Sequence, residues 1–536
     1  MNTEQKRVFR ADIFRHLDGI VTAPTAYCLL EKGVLDYLVT TQTTTLSTLT
    51  EVFQANEGYL NVALHTMASQ GWINYDLEDA DTIKIQVNEM SETAFAHIPL
   101  YKDVVELLQL SKDYHNRKFE VEPFLVLEGI FERFKSHYDI TLSEDERTRT
   151  VQQQVLKHIE GILIGPTIVA LGMSGMFHKY FMEASFKPEE FHSDKDSFGR
   201  LLDFFVHLEW FEKANGTFRF TEKGVFFAKR ASAYGVTVSY IPAFRRIEEL
   251  IFGDPTIFWN LPKGSKEIHV DRKMNVWGSG GAHSAYFEVV DKIIIDIFNQ
   301  PIEKQPRGIV DIGCGNGAFL IHMYELIEKR TLRGQLLEEH PLFLVGADFN
   351  KAALDVTREN IIQSQIWAKL IWGDIGRPDL LAQDLKDNYH IDLKELLNVR
   401  TFLDHNRIWE DPQYSDPDRH SNSTGAFSFR GKRITNIEVE ENLREHFLKW
   451  SPFLEKYGLL VIELHTISPS LISKNLGKTA ATAYNATHGF SDQYIVELEV
   501  FHKVATEVGL IPDEKHFTKF PNSELASVSI NLLKQK

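Results

Sequence analysis

"VDIGCGNG", Val310–Gly317, places three glycines directly behind a run of β-branched apolar residues. The segment Gly308–Ile312 (GIVDI) reads as a short buried strand and Ala318–Ile327 (AFLIHMYELI) as an amphipathic helix, so the glycines fill a strand-to-helix turn. Glycine there lets a ligand approach the backbone closely. Two ligand classes use such a turn. A dinucleotide fingerprint, G-x-G-x-x-G, cradles a pyrophosphate at a helix N-terminus. Here the spacing is Asp311-x-Gly313-x-Gly315-x-Gly317, with an acid on the last turn of the strand. A carboxylate so close to the loop repels a pyrophosphate and suits a cationic amino-acid group.

This spacing resembles motif I of class I methyltransferases that use S-adenosylmethionine (SAM). The resemblance implies an α/β domain with a Rossmann-like sheet, and SAM held by Asp311, Gly313, Gly315 and Gly317. Later landmarks agree. "LFLVGADFN" (342–350) is a second strand ending in Asp348, the place of an acid that accepts from both ribose hydroxyls. Asp348 lies 37 residues beyond Asp311 (348 − 311), and an insertion around "KRTLRGQLLEEHP" accounts for the length. "IWGDIGRP" supplies Asp374, expected at the adenine amino group. "NVRTFLDHNR" leads out of a fourth strand, with Arg400 expected on the cofactor. "GLLVIELHT" is a fifth strand ending in His465, and "SVSINLLKQK" a terminal one. Ligands of open α/β sheets sit outside the carboxyl ends of the strands, so Asp311, Asp348, Asp374, His405 and His465 are expected to face one crevice.

At 536 residues the chain is long enough for two or three domains. With 25% charged and 43% hydrophobic residues it has ordinary soluble composition, and its formal charge of −17 argues against nucleic acid, whose binding depends on phosphate neutralisation. Two cysteines, Cys28 and Cys314, exclude a disulfide framework and fit a reducing, cytoplasmic location. Cys314, inside the glycine loop, reads as a small apolar filler. The N-terminus has no apolar signal region. The uncharged stretch 161–177 falls short of the ~20 residues of a spanning helix.

A repeat explains that stretch. "HLDGIVTAPTAYCLLEKG" (16–33) and "HIEGILIGPTIVALGMSG" (158–175) align at an offset of 142: His16 with His158, Gly19 with Gly161, Pro24 with Pro166, Gly33 with Gly175. His65 and His207 also match at that offset and read as structural histidines. Each copy continues through a helical stretch to a hairpin, the order of a winged helix. The expected domains are a first winged-helix-like unit (1–105), a helical linker with a second unit (106–270), and the methyltransferase (271–536). The candidate groove helix, residues 58–71, contains no Lys or Arg, which phosphate and base contacts require. Winged helices of plant-type O-methyltransferases build dimers and roof the active site, so a homodimer is expected here and neither nucleic acid nor membrane. "GSGGAH" (278–283) reads as a flexible turn whose Ser279 and His283 reach the methyl-donor pocket or simply face solvent.

The chemistry should follow strands four and five. "VRTFLDHNR" holds Arg400, Asp404, His405 and Arg407, and "TAATAYNATHGFSDQYIVE" holds His488, Asp492 and Gln493. His405, His465 and His488, with Asp404, are the catalytic candidates: a histidine can act as general base, or imidazoles with Gln493 can bind a divalent metal. No short H-x₃-H metal signature chooses between them.

Taken together, "NVWGSGGAH", "RGQLLEEHPLFLVGADFN", "VRTFLDHNR" and "ATAYNATHGFSDQY" resemble the mononuclear iron-dependent C-methyltransferases of polyketide synthase loading modules, of the type acting on malonyl groups in apratoxin-like starter units. The resemblance implies a metal, Fe²⁺ or Mn²⁺, on His405, His488 and Gln493, and methylation of the acidic carbon of a malonyl or β-dicarbonyl group. With no carrier-protein segment read after these motifs, a carrier-bound acyl substrate is expected in trans, the alternative being a substrate that is not carrier-bound. The alternatives are a metal-free small-molecule O-methyltransferase with His405 or His488 as base, and a non-catalytic SAM-binding regulator acting through its winged helices.

Overall fold

The computed structural model describes all residues except 79–81, 111–118, 263–264, 415 and 417, and all side chains of its helices and strands except those of 281–285. The chain forms two compact units. The first comprises 1–282 with two later segments, 428–433 and 468–491; the second comprises 283–427, 434–467 and 492–536. Two pieces of the C-terminal half thus fold with the first unit.

The first unit is built on the repeat. Helix α1 (Thr3–Glu31) starts in a capping box in which Asn2 and Gln5 exchange side-chain and backbone hydrogen bonds. The chain then forms β1 (Thr43–Thr45), α2 (Leu46–Phe53), α3 (Glu57–Ser69), and the hairpin β2 (Asn74–Glu78) and β3 (Thr82–Gln86). The second copy has α4 (Glu146–Met173), α5 (Lys195–His207), and the hairpin β4 (Phe211–Ala214) and β5 (Thr217–Phe220). Helices α1 and α4 cross where the repeat aligns. A Cβ on Gly19 would lie 2.3 Å from the His158 backbone, and one on Gly161 would lie 2.3 Å from that of His16. Only glycine permits this reciprocal backbone contact. The histidines are used in parallel: His16 Nδ1 pairs with Tyr234 Oη at 2.8 Å and His158 Nδ1 with Tyr101 Oη at 2.7 Å.

Helix α4 is the one helix among the described residues long and apolar enough to cross a membrane, and 67% of its most apolar window is buried inside the protein. Helix α3 buries every residue from Gly58 to Ser69. It packs against the helix Ala481–Gly489, where a Cβ on Gly489 would lie 2.7 Å from Val62. His65 is buried edge-on to Tyr75, while His207 is exposed.

Residues 278–283 are no turn. They lie inside helix α6 (Arg272–Phe298). Their first glycine is required by packing, because a Cβ on Gly278 would lie 2.6–2.7 Å from the backbone of Gly235 and Val236. Ser279 Oγ donates within the helix to the Val276 carbonyl. The side chain of His283 lies outside the described residues.

The second unit holds a mainly parallel sheet. Its strands are β6 (Gly308–Ile312), β7 (Phe343–Asp348), β8 (Lys369–Trp372), β9 (Leu396–Thr401), β10 (Leu459–Leu464), β11 (Leu510–Pro512), β12 (Thr518–Phe520) and β13 (Val528–Gln535). The order across the sheet is β11-β13-β10-β9-β6-β7-β8, with β12 also pairing β13. Strands β6 to β10 run parallel, and β13 is antiparallel to β10. Strands β6 and β10 are buried along their whole length, as expected for a sheet covered on both faces. Helices α7 (Ala318–Arg330), α8 (Lys351–Gln363), α9 (Pro378–Tyr389), α10 (Asn436–Leu454) and α11 (Leu498–Glu507) connect them. The long interval before β7 holds a short helix, Leu332–Gln335, capped by Thr331 and anchored by buried Arg333 donating to the Pro306 carbonyl at 2.8 Å. From β6 the chain proceeds outward to β7 and β8, then returns to the other side of β6 as β9. The switch point between β6 and β9 is where an open α/β sheet binds its ligand.

Candidate functional site

Two loops flank that switch point. In the loop after β6, Gly313, Gly315 and Gly317 all have positive φ (77°, 57° and 77°), a region that disfavours side chains. Their surroundings differ. A Cβ on Gly313 would sit 2.9 Å from Leu403 and one on Gly317 2.7 Å from Thr357, whereas at Gly315 the nearest atom is 4.0 Å away. The outer glycines therefore permit packing, and the middle one leaves a side open. The loop is fixed by Gly313 and Cys314 amides donating to the Ala347 carbonyl, and by Thr357 Oγ1 donating to the Gly315 carbonyl at 2.7 Å. Burial, then Asp311 and Asp348, push the Cys314 thiol up, so it stays a protonated filler.

Three acids stand at the carboxyl ends of β6, β7 and β8. Asp311 is 2% exposed, and its Oδ2 has no hydrogen-bond partner among the described residues. Burial pushes its carboxyl up to about 7, with a contribution from the nearby Asp348. Asp348 accepts the Gly315 amide on Oδ2 at 3.0 Å and the Asn350 amide on Oδ1 at 2.8 Å, which orients its carboxylate over the glycine loop. Asp374 accepts the Gly376 amide at 2.8 Å and lines a cavity of about 80 Å³ with Arg407, Asn442 and His446. A buried, unpartnered acid beside an open glycine suits a cationic ligand, and SAM brings an ammonium and a sulfonium. The donor set fits the cofactor expected from the sequence.

The loop after β9 is held differently. His405, 6% exposed, has its Nδ1 on Glu463 Oε1 at 2.5 Å. Glu463, in β10, also accepts the amides of His405 (3.3 Å) and Leu464 (2.7 Å). The Tyr494 amide donates to the His405 carbonyl at 2.8 Å. Arg400 and Asp404, expected on the cofactor and in catalysis, take supporting positions. Arg400 is fully buried, donates to Asp404 at 2.5 Å and lies 4.0 Å over the Trp450 ring. Asp404 also pairs with His446 Nε2 at 2.8 Å. Burial raises the Asp404 carboxyl, but Arg400 and His446 overcome it and hold the group below its ordinary range. Arg407 donates to Asn442 and to the Asp404 carbonyl, completing the scaffold beneath His405.

His465 is likewise held in place. Its Nδ1 faces the Val496 carbonyl at 3.1 Å and its Nε2 the Ser529 hydroxyl at 2.7 Å, and burial lowers it to about 3. With both nitrogens engaged it fastens β10 to β13. His488 lies in the first unit, its Nδ1 on the Tyr484 carbonyl at 2.6 Å; Gln493 lies in the second. A carbonyl only accepts, so His488 Nδ1 carries a proton. Among the described residues no group of three His, Cys, Asp or Glu side chains is arranged for a metal. The two-imidazole, one-carboxamide set drawn from the sequence is not of that kind.

Sequence reasoning missed Glu463 and His446. Glu463 carried a signal: it is the one acid in the apolar strand "GLLVIEL", and a buried charge needs a partner. His446 sits on the buried face of α10 with none.

Comparison with known proteins agrees with this architecture. The AprA N-terminal domain family matches residues 9–75, the AprA winged helix domain family residues 160–254, and the AprA MT2-like domain family residues 267–531. No curated protein matches in sequence. Solved structures with some likeness include the mitomycin 7-O-methyltransferase MmcR (10% identity, 72% of this chain and 98% of that one, TM-score 0.44). An O-methyltransferase family protein from Burkholderia thailandensis has 11% identity over 69% and 95%, with TM-score 0.38. The CurJ carbon methyltransferase has 12% over 83% and 99%, with TM-score 0.31. Likenesses this low carry no argument about chemistry. The three family matches do, in the order in which the two units are built: the chain is a SAM-dependent methyltransferase with AprA-type N-terminal, winged-helix and MT2-like domains.

Proposed function

We propose that the protein is a C-methyltransferase in polyketide metabolism that acts on the acidic carbon of a malonyl or β-dicarbonyl acyl group, with His405 as general base. The observation that carries this reading is the His405–Glu463 bond immediately behind β9. A carboxylate on Nδ1 keeps the proton there, presents the Nε2 lone pair to a substrate and stabilises the imidazolium that forms. SAM, when bound, supplies an electrophilic methyl group on a sulfonium. His405 Nε2 would remove the proton between the two carbonyls, leaving a carbon electron pair that would take the methyl as its bond to sulfur breaks and S-adenosylhomocysteine leaves. The scaffold of Arg400, Asp404, His446 and Arg407 fixes the base, and a fixed near-attack geometry supplies a large part of the rate.

The metal-assisted form of the reading is favoured by one pattern. His405 has its Nδ1 on a carboxylate, as metal-bound imidazoles do. A divalent ion on His405 Nε2 would as a Lewis acid favour the enolate, and that nitrogen would then be a ligand in place of the base. The test uses labelled SAM with the acetoacetyl and malonyl thioesters of N-acetylcysteamine and with catechol, the products being assigned by NMR. Methyl on the central carbon is the expected result, and methyl only on the catechol oxygen would replace this reading with O-methylation. Chelation before assay separates the two forms: full activity leaves the base reading alone, whereas loss restored by Fe²⁺ or Mn²⁺ establishes the metal.

A further inference from the structure

Among the described residues of the loop after β9, one takes a conformation its own side chain disfavours. Phe402 has φ 54°, where Cβ crowds the following carbonyl and a bulky residue is an outlier. Such positions persist only where the surroundings over-determine them, and they concentrate at ligand sites. Phe402 is held from several sides. Its amide donates to the Ile462 carbonyl at 2.7 Å. The adjoining Leu403 occupies the space against Gly313, and His405 is locked onto Glu463. Glycine would adopt this backbone without strain, but it would lack the ring.

That ring meets Tyr286 edge-on, with centroids 5.9 Å apart at 69°, and Tyr286 meets Phe520 in the same way at 5.3 Å and 66°. All three rings are half-buried. Phe520 ends β12 opposite Val528, and Val528 also stands opposite Leu464, the last residue of β10. The trio therefore sits at the carboxyl edge of the parallel strands, with Phe402 three residues before the base.

We propose that Tyr286, Phe402 and Phe520 form an acceptor subsite for an apolar acyl chain, so that the substrate is a β-dicarbonyl bearing such a chain beyond its acidic carbon. The proposal rests on the C-methylation reading and narrows its substrate class. Edge-to-face rings offer apolar surface, and each methylene fully buried against them is worth roughly fourfold in affinity. Going from an acetoacetyl to a 3-oxooctanoyl group adds four methylenes, so even partial burial gives at least a tenfold gain.

The experiment is calorimetric titration of the full chain, saturated with S-adenosylhomocysteine, with the acetoacetyl and 3-oxooctanoyl thioesters of N-acetylcysteamine. The wild type should bind the longer thioester at least tenfold more tightly. Tyr286→Ala should cut that ratio below threefold while leaving SAM affinity unchanged. Phe402→Gly, which removes the ring and relieves the backbone, should do the same with a raised Tm. The proposal is overturned if the wild type binds the two thioesters equally or binds neither, or if the preference survives both substitutions. A Tyr286→Ala protein that keeps the preference and loses SAM instead would assign the rings to the sulfonium. Because binding is read without turnover, a chain-length preference with no methylated product would refute the proposed reaction and leave the subsite standing.

Discussion

The loops after β6 and β9 leave neighbouring parallel strands, yet they treat their charges in opposite ways. In the glycine loop Asp311 is buried with an oxygen unpartnered among the described residues, and Asp348 adds a second negative charge. In the loop after β9, Asp404 is answered by Arg400 and His446, and His405 by Glu463. The first loop is electrostatically incomplete until a cation arrives. The second is organised in advance. On the proposed function the first loop binds and the second reacts, so substitutions in the two should separate affinity from turnover.

The largest effect is expected in the second loop. His405→Ala should lower kcat by about 10²–10⁴, the usual contribution of a positioned general base, while SAM affinity changes by less than threefold. Single-turnover kinetics beside a SAM titration would check this, and a parallel loss of both would erase the distinction between the loops. Next comes Asp348→Ala, which should weaken SAM by about 1.5–3 kcal/mol through lost charge-assisted hydrogen bonds. Calorimetry showing unchanged affinity in a folded variant would move the ribose site elsewhere.

A smaller but more diagnostic effect is expected at Asp311. Its folded pKa, about 7, lies above the ordinary 3.8. The ionisation cost is therefore absent below pH 3.8, grows as the pH rises and is complete above about 7, where it reaches on the order of 4 kcal/mol in the ligand-free fold. Asp311→Asn should accordingly raise the Tm of the ligand-free protein at pH 8 and lower SAM affinity about tenfold. In the wild type, a bound cation favours the ionised acid, so SAM affinity should fall as the pH drops below 7. A pH-independent Kd would show that the cation lies away from Asp311.

The same two loops explain what could be read from the sequence. The glycine loop was legible because positive φ restricts the residue type at three positions, and a strand of β-branched residues points into it. The repeat was legible for a related reason: Gly19 and Gly161 are needed where two backbones touch. Glycine misled at 278–283, where it serves a contact between Gly278 and Gly235 rather than a turn. The pairing of His405 with Glu463 spans 58 residues, and no local pattern announces it. Nor does any composition shift mark 468–491 as part of the first unit, since an apolar helix reads alike whichever core it joins.

The smallest functional effect should come from His465, which follows β10 much as His405 follows β9. It differs in having both nitrogens engaged by neutral groups, the Val496 carbonyl and the Ser529 hydroxyl. Its pKa falls from 6.5 to about 3 through burial. The unfolded chain thus takes up its proton before the folded one does, so the stability linked to this site is fully present above pH 6.5 and is lost as the pH falls toward 3. His465→Gln should leave kcat within threefold, because Glu463 and His405 are untouched, and should cost about 1–3 kcal/mol at pH 7.5 for the disturbed buried hydrogen bonds. The variant should also lose stability less steeply than the wild type between pH 6.5 and 4, since one proton-linked site is gone. Denaturant midpoints at several pH values give the slope and a turnover assay gives the rate. A variant of normal stability with kcat down a hundredfold would place His465 among the reacting groups and dissolve the contrast between the two histidines.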